Sequence, residues 1–271
     1  MNETYVKSLF SLEGKKAVVT GASSGIGRAI ALSLSCFGAD VALLGRTMKG
    51  LSETRALIEE QGGTGKEYIV DISKEADQDR FFEEYMEENG KLDIFVANAG
   101  INIRAELPDA TLDEIHKLVE TDYIGTLYGM IWAAKLMKPQ RSGNIVVITS
   151  VNALSPLVNQ AVYSSVKFGL EGAMKCMAGS MAEYGVRVNS CAPGCIHSAL
   201  NEHIFEQEEY RKAKEALIPL GRIGDPRDIG DVVAAIVSDA CRFMTGSTIL
   251  VDGGELIRPK QKQPRIDLYK S

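Results

Sequence analysis

Seven short apolar runs, separated by stretches of helical period, set the fold class of this 271-residue chain. They are KAVVT (16–20), DVALL (40–44), EYIVD (67–71), LDIFVAN (92–98), NIVVITS (144–150), VRVNSCA (186–192) and STILVD (247–252). Each has the length of a strand, and near-continuous Val, Ile and Leu fits strands covered on both faces. The intervening segments are long enough to carry a helix back across a sheet. The pattern therefore predicts an α/β, doubly wound fold, a parallel sheet with helices on both faces. At 45% hydrophobic and 24% charged residues, with no internal repeat or low-complexity linker, one domain over residues 1–271 is expected. Only the segment 255–271, ELIRPKQKQPRIDLYKS, shifts to a Pro- and Lys-rich composition and reads as a short, extended C-terminal extension.

A formal net charge of −6 offers no electrostatic footprint for nucleic acid or an anionic membrane surface. No apolar run approaches the roughly 18 residues of a membrane span, and the N-terminal MNETYVKSLFSLEGKK lacks the apolar core of a secretory signal. A cytoplasmic protein is expected. Five cysteines (Cys36, Cys176, Cys191, Cys195, Cys241) are odd in number and stand in apolar surroundings, which predicts buried reduced thiols. Cys191 and Cys195 lack a second Cys/His pair nearby, so no metal site is expected.

After the first run comes TGASSGIGRAIA, which places Thr20, Gly21, Gly25 and Gly27 directly before a helical pattern. Glycines in a strand-to-helix turn let the backbone approach a pyrophosphate, and the helix N-terminus supplies unpaired N–H groups and a favourable dipole. The G-x-x-x-G-x-G spacing differs from the commoner dinucleotide fingerprint, so its place after the first strand carries the assignment. At the end of the second run a carboxylate would bind an unphosphorylated adenosine ribose, whereas an arginine suits a 2′-phosphate. Gly45 and Arg46 stand there, which predicts NADP(H) in preference to NAD(H). Asp71, ending the third run, fits either an acceptor for the adenine amino group or an N-cap for the next helix. Tyr163 and Lys167 are four residues apart in YSSVK and share one face if the segment is helical. Alone, that spacing also describes a surface tyrosine beside a solvated lysine.

Three further stretches join these: NAG (98–100), Ser150 at the end of the fifth run, and Pro193–Gly194 after the sixth. With TG-x-x-x-G-x-G and Y-x-x-x-K, in this order and at these strand ends, the chain resembles the short-chain dehydrogenase/reductase family over about residues 10–254. The resemblance implies a Rossmann-type domain with seven parallel strands, a nicotinamide cofactor and a homotetramer. It implies Ser150, Tyr163 and Lys167 as the catalytic group. For the cofactor it implies contacts from Gly21, Ser23, Ser24, Gly25, Ile26 and Gly27, from Asp71 and Ile72, and from Asn98, Ala99 and Gly100. It adds Tyr163, Lys167, Pro193, Gly194, Ile196 and Ser198, with Gly194 and Ile196 beside the nicotinamide and Lys167 on the cofactor ribose. One position departs from the family. In ETDYIGTLYG, Asp122 stands where relatives usually have an asparagine linked through water to the catalytic lysine. A buried carboxylate facing Lys167 would raise that lysine's pKa and change the pH optimum; a solvated Asp122 would do neither.

Interconverting an alcohol and a ketone by hydride transfer needs a group that gives or takes the hydroxyl proton. A phenol with the ordinary pKa of about 10 is a poor base near neutrality, and lowering it by three units takes about 4 kcal/mol. An ammonium about 4 Å away, at an effective dielectric near 20, supplies an interaction of that order. Lys167 is thus adequate in scale, and Ser150 can orient the substrate oxygen.

Substrates of this architecture bind outside the carboxyl ends of the strands. The residues standing there are Asn102, Arg104, Asn152, Asn159, Gln160 and His197, a polar set. Arg104 suits a carboxylate and the amides suit vicinal hydroxyls. With LFSLEGKKAVVTG, the NAGI-x-x-R arrangement is similar to the gluconate 5-dehydrogenase-like branch of the family, so a sugar acid, keto-sugar or polyol is expected. A hydroxysteroid, given the mixed segment 200–221, and a 3-oxoacyl carrier-protein substrate stay open. A non-catalytic NADP(H)-binding regulator would be marked by a missing catalytic residue, and all three are present. Small residues on the tyrosine's helix (Gly169, Gly172, Ala173, Ala178, Gly179, Ala182) and the apolar stretch 127–137 predict helix faces for assembly or for the sheet. Trp132 is read as an interior or interface anchor.

Overall fold

The computed structural model describes residues 3–197 and 207–257. Ser198, His203 and the segment 258–271 lie outside the described residues. All seven expected strands form, as β1 (Lys16–Thr20), β2 (Asp40–Gly45), β3 (Thr64–Ile69), β4 (Ile94–Ala97), β5 (Gly143–Ile148), β6 (Val186–Pro193) and β7 (Thr248–Val251). They make one parallel sheet in the order β3-β2-β1-β4-β5-β6-β7. The helices are α1 (Glu3–Phe10), α2 (Gly25–Cys36), α3 (Met48–Glu60), α4 (Glu75–Asn89), α5 (Leu112–Leu118), α6 (Thr126–Gln140), α7 (Ala161–Met181), α8 (Glu208–Leu217) and α9 (Pro226–Val237). A π-helical stretch, Val119–Gly125, joins α5 to α6.

The period-two geometry of a strand sends alternate side chains to opposite faces, and the core divides accordingly. Val18, Phe95, Ile145 and Val147 meet Phe81, Phe82, Tyr85, Met130 and Leu170 on one face. Ala17, Val19, Val96, Val146 and Ile148 meet Ile30, Leu34, Leu51, Ile229 and Val233 on the other. Because both faces are buried, the central strands read as unbroken apolar runs. β3 departs from this. Its ladder runs from Asp40↔Thr64 to Gly45↔Ile69, earlier than the apolar run at 67–71. As an edge strand it leaves Thr64, Lys66 and Ile69 exposed, so backbone pairing sets its limits and hydrophobicity does not.

Local signals close the helices. Thr111 and Glu114 form a capping box on α5, and Asp225 with Asp228 forms another on α9, where Pro226 occupies the first turn. Trp132 stacks on Phe82 at 5.5 Å between centroids and donates its Nε1–H to Asp79, so it anchors α6 to α4. The cysteines correct one expectation. All five are unbridged, but Cys36 and Cys176 are exposed, because each falls on the solvent side of its helix. Burial pushes the Cys191 thiol up to about 12.

The strand order reverses between β1 and β4, and a crevice opens there at the carboxyl ends, as open α/β sheets dictate.

Candidate active site

The crevice is a cavity of about 610 Å³ lined from every strand end between β3 and β6. Its floor is the glycine turn. Gly21 adopts φ 68° and Gly25 φ 54°, values a side chain disfavours. A Cβ on Gly27 would lie 2.1 Å from the Gly21 carbonyl oxygen, so only glycine lets α2 start this close to the turn. Ser24 precedes α2 in extended conformation and spends no side-chain hydrogen bond on the cap. Open N–H groups at a helix start, reached by bare backbone, suit a pyrophosphate. Thr20 and Asn98 hold this turn to the end of β4. Thr20 Oγ1 accepts from the N–H groups of Asn98 and Ala99 at 2.9 Å each, and Asn98 Nδ2 donates to the Thr20 carbonyl at 2.9 Å. Asn98 thus lines the cavity with its amide already committed to the turn.

Arg46 lies on the cavity wall at the end of β2, exposed, with no ion pair or hydrogen bond among the described residues. Asp71 is not the cap of α4; that position is Lys74. Its Oδ1 instead accepts from the N–H and hydroxyl of Ser73 at 3.1 and 2.7 Å, which leaves Oδ2 for a ligand beside Ile72.

At the other end of the cavity, helix α7 brings Tyr163 and Lys167 to one face. Lys167 Nζ stands 5.4 Å from the centroid of the Tyr163 ring and 3.5 Å from the Ile148 carbonyl oxygen. Ser150 closes the trio from the end of β5. Its Oγ accepts from Asn152 N–H at 3.1 Å, so the hydroxyl caps its own turn while its proton has no acceptor among the described residues. A hydroxyl in that state can donate to a substrate oxygen.

Asp122 is fully buried, in the π-helical stretch. Its Oδ1 accepts from Ile101 N–H at 2.7 Å and its Oδ2 lies 3.2 Å from Lys167 Nζ. Burial pushes the Lys167 pKa down, but the charges of Asp122 and Tyr163 outweigh it, and the ammonium is held above the ordinary lysine range. Gly100 makes room for this carboxylate, since a Cβ there would lie 2.6 Å from Oδ2.

On the Ser150 side of the cavity the amides form a row. Asn152 Nδ2 donates to Gln160 Oε1, and Gln160 Nε2 donates to Asn102 Oδ1 at 3.1 Å. Arg104 lines the same wall and pairs with no carboxylate among the described residues. Pro193, the last residue of β6, lines the cavity with Gly194 and Ile196 just beyond it. His197 does not line it; it is exposed, and its N–H donates to the Gly224 carbonyl at 2.8 Å. Asn159 is also exposed and outside the cavity. Among the lining residues that were not anticipated are Thr149 just after β5, Tyr210 and Lys214 on α8, and Glu255 after β7. Glu255 Oε2 accepts from Cys195 N–H at 2.8 Å, and its Oε1 lies 3.9 Å from Lys214 Nζ. No local motif marks Tyr210, Lys214 and Glu255, because the fold brings them to the cavity from beyond residue 207.

Comparison with known proteins agrees with this architecture. The family model described as enoyl-(acyl carrier protein) reductase matches residues 21–255. The chain is 34% identical over 250 residues to 3beta-hydroxysteroid dehydrogenase 1 of Eggerthella lenta, covering 92% of this chain and 96% of that one. It is 33% identical over 248 residues to the L-rhamnose-1-dehydrogenase of Scheffersomyces stipitis, covering 90% and 96%. A Beutenbergia cavernae structure assigned as an NAD(P)-dependent gluconate 5-dehydrogenase, with NADP at low occupancy, superposes with a TM-score of 0.87 at 32% identity, covering 92% and 99%. The chain belongs to the short-chain dehydrogenase/reductase family. It is an oxidoreductase of that family acting on CH–OH groups with an NAD(P) cofactor. Relatives at similar identity carry steroid and sugar names, so likeness alone does not choose the substrate.

Proposed function

We propose that the chain is an NADP(H)-dependent enzyme interconverting a secondary alcohol and a ketone on a sugar acid, keto-sugar or polyol. The observation that carries this is one cavity that holds, among the described residues, an unpaired Arg46 at one end and the Ser150, Tyr163, Lys167 group with an amide row and Arg104 at the other. The nicotinamide cofactor, when bound, supplies or accepts the hydride. Gly21 to Gly27 hold its pyrophosphate, Arg46 its 2′-phosphate, and Asp71 and Ile72 its adenine. Ser150 donates to the carbonyl oxygen and orients it. Tyr163 transfers the proton between its phenolic oxygen and the substrate oxygen, and the Lys167 ammonium stabilises negative charge on that phenol. Asp122 keeps Lys167 charged. Asn152, Gln160 and Asn102 hydrogen-bond vicinal hydroxyls, and Arg104 pairs with a carboxylate.

The enzyme is a single catalytic domain acting on a small molecule in the cytoplasm; among the described residues no helix is long and apolar enough to cross a membrane. It assembles as a homotetramer through α6 and α7. Ile131 and Phe168 are exposed there, and nothing lies within 4 Å of where a Cβ would stand on Gly172 or Gly179. A hydroxysteroid is the second reading, favoured by Leu154, Leu157 and Val158, which leave exposed apolar surface between Ser150 and α7. A carrier-protein substrate is not favoured. Helix α8 mixes Glu208, Glu209 and Glu215 with Arg211, Lys212 and Lys214, which is no uniform basic docking face.

The test is NADPH oxidation with keto-sugars, keto-acids of sugars, ketosteroids and 3-keto esters. Turnover confined to the sugar-derived ketones supports the proposal. Turnover only of ketosteroids selects the second reading, and tight NADPH binding with no turnover on any compound shows a regulator.

A further inference from the structure

Helix α7 carries a third polar side chain in register with the pair already described. Glu171 comes four residues after Lys167, as Lys167 comes four after Tyr163, so the three share one helix face. Glu171 is only 6% exposed. Its Oε1 accepts from Thr149 Oγ1 at 2.6 Å, both its oxygens accept from Ser190 Oγ at 2.9 Å, and its Oε2 accepts from Thr248 Oγ1 at 2.5 Å. No cation pairs with it among the described residues. A buried carboxylate without a cation is costly unless its lone pairs are filled. Three hydroxyls fill them here, one each from the ends or bodies of β5, β6 and β7.

The three ties differ in their distance from the catalytic group along the chain. Thr149 immediately precedes Ser150. Ser190 lies within β6, three residues before Pro193, and Thr248 begins β7, away from the cavity lining. A single acceptor on the helix of Tyr163 and Lys167 therefore also holds the strand end that presents Ser150. We propose that Glu171 is a positioning residue: through Thr149 it fixes the Ser150 hydroxyl relative to the phenol of Tyr163. This rests on the assignment of Ser150 as the group that orients the substrate oxygen. Displacement by about 1 Å costs up to roughly 10²-fold in rate in such sites, so a partial release of one tether costs roughly tenfold.

The alternative is that Glu171 merely glues α7 to the sheet. Thr149→Val and Thr248→Val decide between them, because each removes one hydroxyl from the same carboxylate. Positioning predicts that Thr149→Val lowers kcat about tenfold, leaves KM for NADPH within twofold, and adds nothing to Glu171→Ala in the double variant. It predicts that Thr248→Val keeps kcat within twofold of the parent enzyme. Equal kcat in the two valine variants overturns the proposal. Ser150→Ala separates the claims: full activity there removes the serine's role and this proposal with it. A crippled Ser150→Ala beside a fully active Thr149→Val overturns the Glu171 tether alone.

Discussion

Replacing Asp122 by asparagine isolates the charge that distinguishes this site. The variant keeps the side chain's shape and an oxygen for the Ile101 N–H, now 2.7 Å from Oδ1, and removes the charge and the acceptor 3.2 Å from Lys167 Nζ. At an effective dielectric near 20, opposite unit charges at that separation attract by about 5 kcal/mol. With its oxygen held by Ile101 N–H, the amide turns its NH2 toward the ammonium and retains none of this attraction, so the loss is at least that of a hydrogen bond to a charged group, about 1.5–3 kcal/mol. That corresponds to about one to two pH units. The sign comes from the balance on Lys167: burial pushes its pKa down, Asp122 and Tyr163 push it up, and the second effect wins. Without Asp122, burial is opposed by Tyr163 alone and the ammonium is lost at lower pH. The alkaline limb of kcat, measured at saturating cofactor, should move down by about one to two pH units. Stability carries the same sign. A pKa raised on folding contributes stability that is complete below the ordinary lysine value and lost as pH rises through the folded one. The wild-type unfolding midpoint should therefore hold at alkaline pH after that of Asp122→Asn has begun to fall. Superimposable pH–rate profiles would show that Asp122 does not set the charge of Lys167.

Other positions give sharper single readouts. Arg46→Ala should lower kcat/KM with NADPH by roughly ten- to a hundredfold, the range for a charged hydrogen bond, with NADH changed less than about threefold; an unchanged preference places the 2′-phosphate elsewhere. Gly27→Ala forces a Cβ to 2.1 Å from the Gly21 carbonyl oxygen. It should cost about 1–3 kcal/mol in urea unfolding and weaken NADPH binding measured by fluorescence. Arg104→Gln should raise KM for a carboxylate-bearing ketone by about tenfold or more and leave KM for a neutral keto-sugar unchanged in steady-state assays.

The glycine turn, the strand series and the Tyr163/Lys167 pair were legible because each is local. A turn needs φ above zero within a few residues, and a helix puts i and i+4 on one face. What the sequence hides is set by distant contact. No local pattern marks Glu171, whose three donors lie 22, 19 and 77 residues away. Tyr210, Lys214 and Glu255 reach the cavity only through the path of the chain after β6. Asp122 was visible as a departure from the family, but its burial depends on the π-helical stretch and on Gly100, which no periodicity reveals. The edge strand β3 starts earlier than its apolar residues indicate because half of it faces water, so hydrophobicity under-reports its length.

The proposed chemistry stands most directly on Tyr163. In Tyr163→Phe, NADPH affinity should stay within about threefold while kcat falls by roughly 10²- to 10⁴-fold, the contribution of a positioned proton donor. Retention of kcat within tenfold of the wild type, at unchanged NADPH affinity, would contradict proton transfer by this residue.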